Sequence, residues 1–296
     1  MSARLLEGRI VGEAVRATLV PLAAQRAREL DHAPGLAIVH VGADPASLVH
    51  SRRLIHLAEG IGVAVRLVEL PTTIDDAELS AALRALNADP TIQGILAELP
   101  LPAHLSQRTV AETLDAAKDV DGISFASSGS LFLRQPTYVP STCAAIIEML
   151  EHSRITIAGQ RAIVVGASNV VGKPLAFMLV DRDATVSVCH VATRDLAAWT
   201  RQADILVVAV GKPAVVTGEM IKPGATIIDV GINVVGSHGE VVGDVEFASA
   251  NEVASAITPV PGGVGPLTNL MLLKQLLTPV DLDGRNPEQE ARLQPG

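Results

Sequence analysis

Apolar positions along this chain fall into short runs that alternate with longer stretches of helical spacing. Residues 35–41, 63–69 and 94–99 are short apolar runs and read as strands, while 8–30, 74–86 and 106–114 read as helices. Asp44 supplies an N-cap and Pro45 a first helical residue for a further helix, which ends at Gly60. The second half continues the alternation: helix 142–151, strand 161–165, strand 185–189, helix 194–201, strand 205–210, strand 226–230 and helix 267–277. Alternating strands and helices predict an α/β fold with a mainly parallel sheet. A hinge is expected at 136–140, with lobes at 1–139 and 140–265, and 279–296 reads as a loose tail.

The chain is organised around residues 161–174, RAIVVGASNVVGKP. Residues 161–165 have the apolar, β-branched character of a buried parallel strand. Gly166 breaks it, Ser168 or Asn169 can cap a helix starting near Val170, and Gly172 lets that helix lie close to the strand. A strand, a glycine turn and a helix N-terminus aim backbone N–H groups and a positive dipole end at one point, which suits a dinucleotide pyrophosphate. The spacing is G-x-S-x-x-x-G rather than G-x-G-x-x-G, so a βα turn of another α/β domain is the bland alternative. The second lobe is therefore expected to be Rossmann-like and to hold a dinucleotide, with substrate in a cleft between the lobes.

Composition narrows the function classes. The chain has 296 residues, 48% hydrophobic and 19% charged, which is globular composition with room for two domains. Aromatics are only 2%, so the core must be aliphatic; with a net charge of −9 and no basic cluster, nucleic-acid binding is not expected. No apolar signal region or membrane-length segment is read, so a cytoplasmic protein is expected. Cys143 and Cys189 form no ligand cluster and the eight histidines show no metal spacing, so structural thiols and no metal are expected.

Six motifs carry a resemblance: VGADPAS (41–47), GILAELPLP (94–102), KDVDG (118–122), GASNVVGKP (166–174), DVGI (229–232) and TPVPGGVGP (258–266). On these the chain resembles the methylenetetrahydrofolate dehydrogenase/cyclohydrolase enzymes of one-carbon metabolism, from about Leu5 to Leu277. The resemblance implies an N-terminal folate lobe rejoined by the last helix, 266–278, a nucleotide lobe, a tetrahydrofolate one-carbon substrate and a homodimer. It also implies substrate contacts at Ser47, Asp121, Pro261, Gly262 and Gly263, and nucleotide contacts at Gly166, Ala167, Ser168, His190, Val191, Thr193 and Ile232.

The departures bear on chemistry. Where the family has a Tyr and, four residues on, a Lys, this chain has His50 and Leu54; where the family has Gln before the Leu-Pro-Leu-Pro turn, it has Glu98. Asp121 is kept, and its carboxylate can accept the paired N–H groups of a pterin edge. Hydride transfer from methylene-tetrahydrofolate needs positioning and electrostatics but no proton. Opening of the methenyl ring by water needs a titratable group, which Leu54 cannot be. His50, Glu98, Asp121 and position 54 are thus the candidate catalytic positions. A Glu98–His50 pair can rebuild the proton relay, or Glu98 can place negative charge beside the cation; a surface histidine and a solvated strand-end carboxylate are the bland alternatives.

No acid follows the second nucleotide strand at Cys189-His190, which favours NADP, with His190, Thr193 or Arg194 near the phosphate; Val191 removes a polar contact, and NAD stays possible. The expected activity is oxidation of methylene-tetrahydrofolate with cyclohydrolase weak or lost. The alternatives are a bifunctional enzyme using His50 and Glu98, a relative acting on another one-carbon or imine substrate, and a non-enzymatic sensor.

Overall fold

The computed structural model describes residues 2–42, 45–135, 138–236 and 239–278, and of 45–50 the backbone alone. In chain order the elements begin with β1 (Arg4–Leu5), α1 (Gly8–Leu30), β2 (Gly35–Val41), α2 (Pro45–Gly60), β3 (Ala64–Leu70), α3 (Asp76–Ala88), β4 (Gly94–Ala97), α4 (Gln107–Thr113), α5 (Phe125–Phe132) and α6 (Ser141–His152). They continue with β5 (Arg161–Val165), α7 (Gly172–Val180), β6 (Thr185–Cys189), α8 (Leu196–Thr200), β7 (Ile205–Val208), β8 (Thr226–Asp229), β9 (Asn233–Val235), β10 (Glu240–Val242), α9 (Phe247–Val253), β11 (Ala256–Ile257) and α10 (Gly265–Leu277). The α/β class is the one the alternation predicts. Two compact units form, one from residues up to 14 with 142–268, the other from 15–141 with 269 onward.

The unit of residues 15–141 is built on a three-stranded parallel sheet, in the order β3-β2-β4. β2 is central, and Leu36, Ala37, Ile38 and Val39 are all buried, as a strand covered on both faces requires. One face packs Ala37, Val39 and Ile95 against Leu79, Leu83 and Leu86 of α3. α3 starts after the expected Ile74 because Asp75 accepts from the Glu78 N–H and Glu78 returns a bond to the Asp75 N–H, a reciprocal cap that fixes the first turn. Gln275 of α10 is tied to residues 120 and 139, donating to both carbonyls and accepting from the Val139 N–H.

The other unit carries a six-stranded parallel sheet in the order β1-β11-β8-β7-β5-β6. Its core is aliphatic, with Ile163, Val165, Leu206, Val208, Ile227 and Ile257 fully or nearly buried. Here the expected lobe 1–139 differs from the structure. Arg4 and Leu5 pair in parallel with Ala256 and Ile257, so the N-terminal residues belong to the six-stranded unit. Two residues form too short a run for pattern reading, and only the sheet edge makes them a strand. The hinge expected at 136–140 and the tail at 279–296 fall partly or wholly outside the described residues.

Candidate active site

The three-stranded unit gathers its polar residues at the C-terminal end of β4. Glu98 lies one residue past the strand, and its N–H still donates to the Val39 carbonyl at 3.0 Å. The Ser51 hydroxyl of α2 donates to Glu98 Oε1 at 2.9 Å, and His40 Nε2 of β2 lies 2.5 Å from the same hydroxyl oxygen. His40 and Ser51 are both buried. Sequence reasoning selected neither, although a histidine inside an otherwise apolar strand is the signal that could have found His40. The expected Glu98–His50 pair and the contact at Ser47 lie outside the described residues, because no side chain of 45–50 is described.

Leu54 sits on α2 with no accessible surface. This departs from the expectation that its side chain faces the one-carbon unit; it is a core residue, and a lysine placed there would carry its ammonium into the interior. Asp121 keeps some accessible surface but is densely surrounded. Its Oδ1 accepts from the Ser141 N–H at 2.9 Å. Burial pushes its pKa up to about 6, the Ser141 bonds oppose that, and the charges of Asp119 and Glu98 add to it. Asp121 and Glu98 are therefore near enough to feel each other. Asp119 is different: it is fully buried and accepts from the N–H groups of Ile123 and Ser124 and from the Ser127 hydroxyl, so it anchors the start of α5.

The six-stranded unit forms the glycine turn after β5. Gly166 has φ +125°, and a Cβ there would stand 2.2 Å from the Ala209 carbonyl oxygen. A Cβ on Gly172 would stand 1.9 Å from the Gly166 carbonyl oxygen, so the second glycine lets α7 lie against the turn. The helix starts at Gly172 rather than near Val170, and the Ser168 hydroxyl accepts from the N–H groups of Val171 and Gly172 at 3.1 and 3.4 Å. Two donors of the helix end are thus engaged by Ser168 itself. Ala167 is half-buried, whereas Ser168 is exposed.

After β6, the His190 N–H donates to Thr193 Oγ1 at 2.8 Å, and His190 Nδ1 accepts from the Ala192 N–H at 3.2 Å. Nδ1 is therefore unprotonated and Nε2 carries the ring proton. The nearest acid, Asp195, caps α8 by accepting from the Ala198 N–H. The donors His190, Thr193 and Arg194 thus stand without a free carboxylate on residues 190–194, a set that fits a phosphate. Val191 is 97% exposed and Ile232 69%, leaving both available to a bound nucleotide.

In the loop before α10, Pro261 and Gly262 are exposed, the Val260–Pro261 peptide is cis, and Gly262 has φ +111°. Gly263 is buried, and a Cβ on it would meet Thr258 and Pro259 at 2.6–2.7 Å. Close packing within the loop by itself requires glycine at 263.

Two aspartates to which sequence reading assigned no role, Asp229 of the DVGI motif and Asp244, bind the loops of this sheet together. Asp244 is completely buried and accepts from the N–H groups of Val210, Gly211 and Lys212 at 2.6–3.0 Å. Asp229 accepts from the N–H groups of Gly231, Asp244 and Val245, each at 2.9 Å. Burial outweighs those bonds and raises the Asp229 pKa from 3.8 to about 6. A carboxyl whose folded pKa exceeds its unfolded one holds a proton more readily when folded, so its contribution is fully present below about 4 and lost as pH rises through about 6. Urea unfolding across that window should show stability falling with pH in wild type and a shallower fall in Asp229→Asn.

Two family profiles cover most of the chain. "Tetrahydrofolate dehydrogenase/cyclohydrolase, catalytic domain" matches residues 6–121 and its "NAD(P)-binding domain" matches 140–283. The chain belongs to this family. A curated relative from Bordetella avium, "Bifunctional protein FolD", is 48% identical over 277 residues, covering 94% of this chain and 97% of that one. The "Bifunctional protein FolD" of Chloroflexus aggregans is 47% identical with the same coverage. Among solved structures, the FolD methylenetetrahydrofolate dehydrogenase/cyclohydrolase of Campylobacter jejuni superposes with a TM-score of 0.90 at 37% identity, over 93% of this chain and 98% of that one. The Trypanosoma brucei FolD, complexed with NADP cofactor and inhibitor, gives 0.88 at 36% identity, over 94% and 97%. The fold is thus that of a catalytic domain with a Rossmann-like NAD(P)-binding domain, as the sequence resemblance implies.

Proposed function

We propose that this enzyme oxidises methylene-tetrahydrofolate to methenyl-tetrahydrofolate with NADP, and opens the methenyl ring only weakly. The folate chemistry is assigned to the unit of residues 15–141 and the nucleotide to the six-stranded unit. The observation that carries this reading is the half-exposed Glu98 carboxylate one residue past β4, held by the Ser51 hydroxyl at 2.9 Å, in a chain whose position 54 is a core leucine where the family has a basic side chain. Negative charge there lowers the energy of a developing cation, which is what hydride loss creates. Asp121 accepts the paired N–H groups of the pterin edge and orients the ring. Leu54 offers no proton, and the loss of a positioned acid–base group costs ~10²–10⁴ in rate.

When bound, NADP supplies the hydride acceptor. Gly166, packed against the Ala209 backbone, fixes the turn assigned to the pyrophosphate, Ile232 offers exposed surface, and His190 Nε2, Thr193 and Arg194 form the set for the extra phosphate. The complex of the Trypanosoma brucei enzyme with NADP supports that choice over NAD. A cytoplasmic homodimer belongs to the same reading and rests on the family resemblance. Among the described residues no helix is long and apolar enough to cross a membrane.

A bifunctional enzyme is the second reading. It is favoured by the names of the relatives and by the Ser51 bond to Glu98, which keeps a titratable group at the site. A spectrophotometric assay separates the two. With methylene-tetrahydrofolate and NADP, reduced nucleotide and methenyl product should rise together, and the methenyl compound should disappear little faster than it decays without enzyme. Formyl-tetrahydrofolate appearing as fast as reduced nucleotide would establish the bifunctional enzyme instead, and a better rate with NAD would overturn the phosphate assignment.

A further inference from the structure

Three polar side chains from three elements form one chain in the three-stranded unit: His40 on β2, Ser51 on α2 and Glu98 after β4. A serine hydroxyl has one proton. Ser51 gives that proton to the Glu98 carboxylate, so His40 Nε2 must carry a hydrogen and donate to the Ser51 oxygen. His40 is 2% exposed and Ser51 1%, while Glu98 retains accessible surface. Apolar residues at 40 and 51 would suit the core equally well, since Leu36 to Val39 around His40 are apolar and buried. A buried polar pair that packing does not call for, ending on a half-exposed carboxylate, points to a use for that carboxylate.

We propose that His40 and Ser51 are positioning residues for Glu98, holding its carboxylate as a fixed hydrogen-bond acceptor so that its charge is preorganised toward the cation formed in hydride transfer. This rests on the reading that Glu98 stands beside the one-carbon unit. In that step the methylene C–H bond breaks, its electron pair leaves as hydride to the nicotinamide, and a nitrogen lone pair completes the C=N bond; no proton moves. A carboxylate already aligned costs no reorganisation as the charge appears, so its alignment acts on the transition state more than on substrate binding.

The test compares Ser51→Ala, Ser51→Thr, His40→Gln, Glu98→Gln and the double variant Ser51→Ala with Glu98→Gln in the full chain. The readouts are kcat and KM for methylene-tetrahydrofolate and the primary deuterium isotope effect, with NADP affinity as a measure of intact folding. Ser51→Ala should lower kcat about tenfold, equivalent to ~1.4 kcal/mol of barrier, while KM changes less than about twofold and the isotope effect grows. Ser51→Thr, which keeps the hydroxyl, should restore kcat. His40→Gln, whose amide N–H replaces Nε2–H, should fall between Ser51→Ala and wild type, and it carries the test if Ser51→Ala does not fold. In the Glu98→Gln background, Ser51→Ala should do nothing further. Parallel changes in kcat and KM with an unaltered isotope effect, or additive losses in the double variant, would overturn the positioning role while leaving Glu98 at the site. An unchanged kcat in Glu98→Gln would overturn the underlying reading, whatever Ser51→Ala does.

Discussion

Gly166→Val should weaken NADP binding by at least ~100-fold, a loss of roughly 2.7 kcal/mol. Two independent features lead there. The residue sits at φ +125°, where a β-branched side chain is strained before it meets any neighbour. Its Cβ would also overlap the Ala209 carbonyl oxygen at 2.2 Å and the carbonyl carbon at 2.9 Å, and these are backbone atoms that no rotamer change can move aside. Relief requires the turn between β5 and α7 to shift. Gly172 leaves little room for a shift toward the helix, since a Cβ there would already stand 1.9 Å from the Gly166 carbonyl oxygen. The displaced turn carries Ala167 and Ser168 with it, and the Ser168 bonds that fix the first turn of α7 are lost. Calorimetric titration with NADP measures the effect, on protein whose circular dichroism matches wild type. Wild-type affinity in such a protein would remove this turn from the nucleotide site.

How far the sequence carried differs between elements. The helix read at 8–30 and the strand at 35–41 coincide with α1 and β2, because long periodic stretches and a short buried apolar run are the strongest pattern signals. The missed elements fail for stated reasons. α5 has the sequence FASSGSLF, poor in helix formers, and forms because Ser124 caps it and Asp119 anchors that cap. β1 and β11 are two residues each and exist only as neighbours in a sheet. β9 and β10 pair only with each other, with Val234 71% exposed, so no core contact imprints a pattern on them.

The chemical site was legible in part. Glu98 and Asp121 could be proposed for the site because motifs surround them. Leu54 was assigned to the site from a family position, and the structure puts it in the core instead. His40 and Ser51 could not be seen as a pair, since their contact joins a strand to a helix 11 positions on, with no regular spacing to announce it. The roles of Asp229 and Asp244 were unreadable for a similar reason. Their partners are backbone N–H groups on several loops, and a sequence does not show where its N–H groups point.

The affinity for folate should depend on pH through Asp121, and the direction follows from its surroundings. In the free protein burial raises the carboxyl to about 6, with Asp119 and Glu98 adding to the rise. The pterin edge brings two N–H donors, which favour the ionised form and lower the pKa on binding. Below about 6 folate must therefore displace a proton, and its affinity should rise by up to about tenfold per pH unit, then level off above neutrality. Asp121→Asn should abolish that slope. It should also weaken folate binding by ~10²–10³, because an amide N–H₂ faces the pterin amino group where an acceptor is needed. NADP affinity should not change, since the nucleotide is assigned to the other unit. The same variant should be no less stable than wild type at pH 7, because Asn Oδ1 still accepts from the Ser141 N–H and the buried charge is gone. A purely structural aspartate would behave in the opposite way, with lowered stability and equal losses for folate and nucleotide. Fluorescence titrations of both ligands between pH 5 and pH 8, with urea unfolding at neutral pH, distinguish the two; a slope that persists in Asp121→Asn would assign the proton to another group.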